Sequence, residues 1–192
     1  MTRFSSLRRS LPRSPVLLLV LLLGVGCASG AGARAMVALD ALPAGCPVSG
    51  ALHAAVALGS VGGGRETGGL DNPHVSDANL ARALRLTLEH HELLGADDAP
   101  FRLDVQLVEL AQPTRGYTME VVAFVRYRLV AQPSGELVLD DVIPGACTRE
   151  YEDAWIGYER LRLANEGAVR ASLGSFLETL CGAAAAGALN AE

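Results

Sequence analysis

The stretch MEVVAFVRYRL, residues 119–129, decides the architecture: Met119, Val121, Ala123, Val125, Tyr127 and Leu129 alternate with Glu120, Val122, Phe124, Arg126 and Arg128. A strict period of two marks a strand whose alternate side chains share one buried face. Just upstream, FRLDVQL at residues 101–107 repeats it, with Phe101, Leu103, Val105 and Leu107 set against Arg102, Asp104 and Gln106. Gln112-Pro113-Thr114-Arg115-Gly116 reads as a hairpin loop between the two, and Gln132-Pro133-Ser134-Gly135 as another before a third strand over residues 136–143. Three strands therefore form a meander. Its second face carries Val108, Val122 and Phe124 among Arg102, Asp104, Glu120, Arg126 and Arg128. Such a mixed surface can receive a partner or simply face water.

Helical spacing flanks the meander on both sides. Ser76 or Asp77 can cap a helix whose Leu80, Ala83, Leu84, Leu88 and His91 share a face, and Gly95 after Leu94 supplies a stop. At the other end Leu161, Ala168, Val169, Leu173, Phe176, Leu177 and Leu180 keep helical spacing up to Gly182. Ala54 to Leu58 reads as a short buried strand, and Gly59 to Gly69 as a glycine-rich loop. The order β-α-β-β-β-α predicts a two-layer α+β domain over residues 51–182, a mainly antiparallel sheet covered on one face by two helices. Residues 183–192 read as a disordered tail.

The N-terminus reads as a targeting signal. Arg3, Arg8, Arg9 and Arg13 precede an unbroken valine and leucine run from Val16 to Leu23, which Gly24-Val25-Gly26-Cys27 follows. The run is far short of the roughly 20 residues that span a bilayer as a helix. Small residues before a cysteine resemble the lipobox of bacterial lipoproteins, in which the thiol receives a diacylglycerol, the chain is cut before it, and the new amine is acylated, for instance with palmitate. That resemblance makes residues 1–26 a lipoprotein signal peptide and Cys27 the lipid attachment site. Gly24 departs from the leucine usual at its position, although Leu23 stands directly upstream. The other reading is a secreted protein cut near Ala28 to Ala31. Ala28 lacks the aspartate that retains such proteins at the inner membrane, which implies an outer-membrane protein whose domain faces the periplasm. Residues 27–50, rich in Ala, Gly and Pro, read as a flexible tether.

All 16 basic residues are arginine, and four of them precede Val16, leaving 12 against 21 acids from Cys27 onward, a net charge of about −9. A nucleic-acid partner is therefore disfavoured. Gly62-Gly63-Gly64 invites a phosphate-loop reading, but the motif's lysine is missing from the whole chain. His90 and His91 are consecutive and point about 100° apart on a helix, so they do not clamp one metal. His53 and His74 stand in no motif with a nucleophile and an orienting acid. Asp140-Asp141 and Glu150, Glu152 and Asp153 lack calcium-loop spacing and read as solvated charge. No catalytic residue, cofactor or metal is assigned.

Cys46, Cys147 and Cys181 leave three disulfide pairings open with one thiol free, or three reduced cysteines. Gly167, Gly174 and Cys181 recur every seven residues and offer a stripe where a backbone can approach closely. Trp155 to Glu166 has two readings. One is a helix-start packing motif with Glu159 or Glu166 bridging arginines; the other is a partner surface of Trp155, Tyr158, Arg160 and Arg162, residue types favoured as binding anchors.

Five stretches carry a wider resemblance: Asn72-Pro73 with Val75-Ser76-Asp77, Phe101-Arg102-Leu103-Asp104, Gln112-Pro113 with Gly116-Tyr117-Thr118-Met119, Val125-Arg126-Tyr127, and Gly157 to Gly167. Together they are similar to a group of small uncharacterised bacterial lipoproteins, some labelled acyltransferases. Enzymes that acylate sugar nucleotides build a β-helix from hexapeptide repeats, and no such repeat exists here. The resemblance implies a small bacterial lipoprotein and no activity; the expected role is that of a membrane-anchored, non-enzymatic structural or adaptor protein of the envelope, partnered by the membrane through its lipid and by another envelope protein at the mixed sheet face or the Trp155 to Arg162 segment. The alternatives are an envelope enzyme acting on lipid or sugar and a periplasmic lipid carrier, which would need an apolar cavity between sheet and helices.

Overall fold

The computed structural model describes residues 29–189 except Leu70 and Pro133. Four strands lie in sequence order across one sheet: β1 (Val56–Gly62), β2 (Phe101–Ala111), β3 (Met119–Ala131) and β4 (Leu137–Arg149). β2, β3 and β4 form the antiparallel meander, with Val105 opposite Tyr127 and Tyr127 opposite Asp141. β1 pairs with β2 in parallel, from Val56 beside Phe101 to Gly62 beside Gln106. A parallel neighbour requires a crossover, and helix α1 (Asp77–His90) supplies it. Helix α2 (Gly157–Ala185) follows the sheet. The α+β architecture expected from the sequence is the observed one.

The period-two pattern does what it promises. Leu103, Val121, Ala123, Val125, Tyr127 and Leu129 are fully buried under the helices, where Leu80, Leu84, Leu88, Leu173 and Phe176 meet them in one core. Tyr127 stacks on Phe176 with ring centroids 4.3 Å apart. Its hydroxyl donates to Ser172 Oγ at 3.0 Å, and Ser172 Oγ donates in turn to the Ile143 carbonyl at 2.9 Å. A buried phenol is thereby satisfied, and burial pushes its pKa far above the ordinary value.

Two glycines set how closely α2 approaches β4. A Cβ on Gly145 would lie 2.2 Å from both the Ala168 carbonyl oxygen and the Ser172 amide nitrogen. A Cβ on Gly167 would lie 2.2 Å from Cys147 Sγ. Of the small-residue stripe, Gly167 is thus a close-approach point, Gly174 has open space beside it, and Cys181 forms a disulfide with Cys46. Cys147 is the free thiol among the described cysteines.

Several boundaries differ from expectation. Helix α1 stops at His90 because Glu92 takes a left-handed conformation (φ 58°) and the Leu93 amide reaches back to the Leu88 carbonyl at 2.9 Å. Glu92 fills the cap position usually given to glycine, and Gly95 instead lets the Ala54 carbonyl approach. The glycine-rich loop is partly strand, since β1 runs through Gly59 to Gly62 with a bulge between Leu58 and Val61.

The tether assigned to residues 27–50 is corrected over Ala31 to Ala38, and Cys46 is tied to α2 by the disulfide. Ala31, Met36 and Ala38 are buried in the core, and Ala33–Met36 forms a short 3-10 helix. The reason is hydrogen bonding from the helices: Thr87 Oγ1 accepts from the Ala38 amide at 3.2 Å, and the His91 ring meets the Ala38 carbonyl at 3.1 Å. Glu166 accepts from the Gly32 amide at 2.8 Å, while Arg170 donates to the Ala35 carbonyl at 2.8 Å. The expected tail is corrected over residues 183–189, because α2 continues to Ala185 and Leu189 is buried, while residues 190–192 lie outside the described residues.

Candidate functional site

The start of α2 gathers the side chains on which a partner surface was expected, and it sorts them. Arg160 is buried, against expectation. Its guanidinium donates to the carbonyls of Ala154 at 2.5 Å, Trp155 at 3.2 Å and Gly116 at 3.3 Å, and lies 5.3 Å from the Tyr151 ring centroid. Planar and rich in donors, arginine can tie two loops together in this way. Arg162 bridges Glu159 at 2.8 Å and Glu166 at 2.5 Å. Burial works against its charge, but the two carboxylates outweigh burial and raise its pKa. Trp155 remains on the surface, and the Tyr158 hydroxyl donates to the Ser29 carbonyl at 3.2 Å. Cys27 lies outside the described residues.

Three exposed residues join Trp155 that the sequence reading did not single out: Tyr117, Tyr151 and Ile156. Tyr151 lies 6.4 Å from Trp155 and 6.3 Å from Tyr117, measured between ring centroids. Tyr117 belongs to the loop between β2 and β3, so only tertiary structure brings it here. The one available signal was its place within the Gly116-Tyr117-Thr118 block.

Three further stretches converge beside it. Gln112 Nε2 donates to the Pro73 carbonyl at 2.8 Å and to Asn165 Oδ1 at 2.9 Å, and Asn165 Nδ2 donates to the same carbonyl at 2.8 Å. Asn165 is fully buried, and this cluster satisfies it. Asn72-Pro73, Gln112-Pro113 and the Gly157 to Gly167 stretch therefore meet around one structural junction.

The sheet face away from the helices carries Val122, Phe124, Arg126 and Arg128 from β3, with Ala146, Pro144, Val142 and Asp140 opposite them on β4. Val108 and Val142 are exposed there. A depression of about 260 Å³ is lined by Ser60, Asp104, Gln106, Arg126 and Arg128. Two of its charges are held by partners: Arg126 grips Asp140 through two hydrogen bonds of 2.5 and 2.7 Å, and Asp104 accepts from the Ser60 amide at 2.8 Å and hydroxyl at 2.7 Å. The Arg126 hydrogen bonds hold the Asp140 carboxyl below the ordinary range. Burial pushes Asp104 the other way, but Ser60 and Arg102 outweigh it.

The remaining candidates serve local structure. His74 contacts Arg65, and burial, with Arg65 second, lowers its pKa. His53 lies 3.8 Å from Glu92. Ser76 caps α1 by accepting from the Asn79 amide. Asp153 accepts from the Glu150 amide at 2.9 Å, and Glu150 accepts from the Thr118 hydroxyl at 2.7 Å, so these acids close the turn after β4. Among the described residues no group of three or more His, Cys, Asp and Glu side chains could hold a metal ion, and no helix is long and apolar enough to cross a membrane.

The site and its scaffold define a class, a two-layer α+β domain with a mixed four-stranded sheet left open on one face. Solved bacterial structures share that fold. A Xanthomonas campestris protein of the DUF330 family is similar at 9% identity over 67% of this chain and 84% of that one, with a TM-score of 0.50. A candidate lipoprotein from Caulobacter crescentus is similar at 13% identity over 70% of this chain and 93% of that one, also with a TM-score of 0.50. No family model and no curated protein matches the chain.

Proposed function

We propose that this chain is a lipid-anchored protein of the bacterial outer membrane, held through acyl chains on Cys27 with its domain facing the periplasm, and that its role is structural or that of an adaptor. The arginine-led apolar run ending at Gly26-Cys27 supports the anchor. A candidate lipoprotein among the proteins sharing the fold is consistent with it.

The observation that carries the adaptor role is the open sheet face. Both helices sit on the other side, and Val108 and Val142 stay exposed among charges that include the Arg126–Asp140 and Arg102–Asp104 pairs. An apolar centre with a charged rim is the anatomy of a protein interface. The layer between sheet and helices offers a lipid carrier little support, since Tyr127, Phe176 and fully buried leucines fill it. Photocrosslinking amino acids placed at Val108 and Val142 should give a discrete adduct with one envelope protein, and the same probe at exposed Arg82 of α1 should not. Equal or absent adducts at all three positions would contradict an adaptor working through this face.

A further inference from the structure

Four exposed apolar residues, three of them aromatic, gather at one end of the described domain. Tyr117 is 81% exposed, Trp155 80%, Ile156 65% and Tyr151 43%, and the three rings form a chain. Their exposure is imposed by structure. Arg160, buried beneath them, holds the carbonyls of Gly116, Ala154 and Trp155 at once and lies against the Tyr151 ring. Two separate loops are thereby fixed so that their aromatic side chains point outward together. A rigid aromatic patch in water marks a surface that meets something apolar.

The same end is where the chain joins the domain. Tyr158, in the first turn of α2 and three positions after Trp155, donates to the Ser29 carbonyl. Cys27 precedes Ser29 by two residues, at most about 7 Å of extended chain. We propose that the Tyr117, Tyr151, Trp155 and Ile156 patch docks into the headgroup boundary of the bilayer that holds Cys27, so that the domain stands on the membrane with the start of α2 against it. This rests on the lipid anchor proposed above.

Chemistry and charge agree on the occupant. Trp and Tyr present an apolar ring and a polar tip, a combination that favours the boundary between headgroups and acyl chains. The patch is rimmed by exposed Glu150, Glu152 and Asp153 with Glu159 nearby, against Arg115 and Arg149. A zwitterionic headgroup suits such a rim better than an anionic one. Because the acyl chains hold the domain within a few residues of the surface, docking is intramolecular, with an effective concentration on the order of mM. A patch too weak to bind membranes by itself is then sufficient to set orientation.

Trp155 is the single tryptophan of the chain, so its fluorescence reports the patch directly. The mature protein is reconstituted into phosphatidylcholine vesicles brominated on the upper acyl chain, and intact mass is taken on the same sample. Trp155 emission should shift to the blue and be quenched at least about twofold relative to unbrominated vesicles. A reporter chain with Trp155→Phe and Leu137→Trp places the indole at the far end of the 13-residue β4. That distance is about 40 Å, and the reporter should not be quenched. Acylated protein whose Trp155 is quenched no more than the Leu137→Trp reporter would overturn the docking and leave the anchor standing. A sample whose mass shows no acyl chains would overturn the anchor and the docking with it.

Discussion

Gly145→Val should unfold the domain or leave it barely folded, at a cost of about 3 kcal/mol or more. Clashes with side-chain tips relax by a rotamer change, but here a new Cβ would lie 2.2 Å from backbone atoms of Ala168 and Ser172. Relief requires lifting α2 from β4. That movement breaks the Ser172 to Ile143 hydrogen bond, leaves the Tyr127 hydroxyl without its acceptor, and opens the stack of Tyr127 on Phe176. Domains of this size have about 5–15 kcal/mol in total, so such a loss takes a large share. Gly174→Ala is the matched comparison. It lies on α2, the helix that Gly145 of β4 packs against, with nothing within 4 Å of the added Cβ, and removing an interior helical glycine should stabilise by about 0.5–1 kcal/mol. Urea midpoints of the two variants in the same detergent should move in opposite directions. Midpoints that move together would show that the approach of α2 to β4 is not set at Gly145.

Cys46→Ser should cost about 4–5 kcal/mol. The Cys46 to Cys181 bridge closes a loop with a sequence separation of 135, and cross-linking so long a loop removes much of the freedom of the unfolded chain. In the folded state the same bond fastens the segment after the 3-10 helix to the last turn of α2, where Cys46 also packs against the core. Adding reductant to the wild-type protein should lower its midpoint to that of Cys46→Ser. Cys147→Ser should change it by less than about 1 kcal/mol, because that thiol is free and only partly buried. A larger effect at Cys147 than at Cys46 would mean that another pairing forms in solution.

What could be read in advance follows from the physics of each element. β2 and β3 were legible because one buried and one open face impose a two-residue period, and the register kept Val122, Phe124, Arg126 and Arg128 on the open side. The end of α1 was misplaced because Glu92, and not Gly95, adopts the left-handed cap. The segment from Ala31 to Ala38 resembled a tether because it has no periodicity. It is held by single hydrogen bonds from Thr87, His91, Glu166 and Arg170, and long-range contacts of that kind leave no local pattern. Pairing of Cys46 with Cys181 was equally hidden, as their separation carries no motif.

At the candidate site the sequence drew attention to the right turn of chain but not to its organisation. Trp155 lies on the surface, whereas Arg160 is internal because three loop carbonyls converge on it, and an arginine in such a segment ordinarily reads as solvated. The gathering of Tyr117 with Tyr151 and Trp155 depends on two loops far apart in sequence. Placing the start of α2 beside Ser29 depends on the N-terminal segment folding at all.

Intact mass of the protein extracted from membranes tests the lipid anchor most directly, with Cys27→Ala run beside wild type. The expected wild-type chain begins at Cys27 and carries a diacylglycerol and an amide-linked acyl chain, and the variant carries neither. An unmodified wild-type chain cut beyond Cys27 would contradict it and make the domain a freely diffusing periplasmic protein.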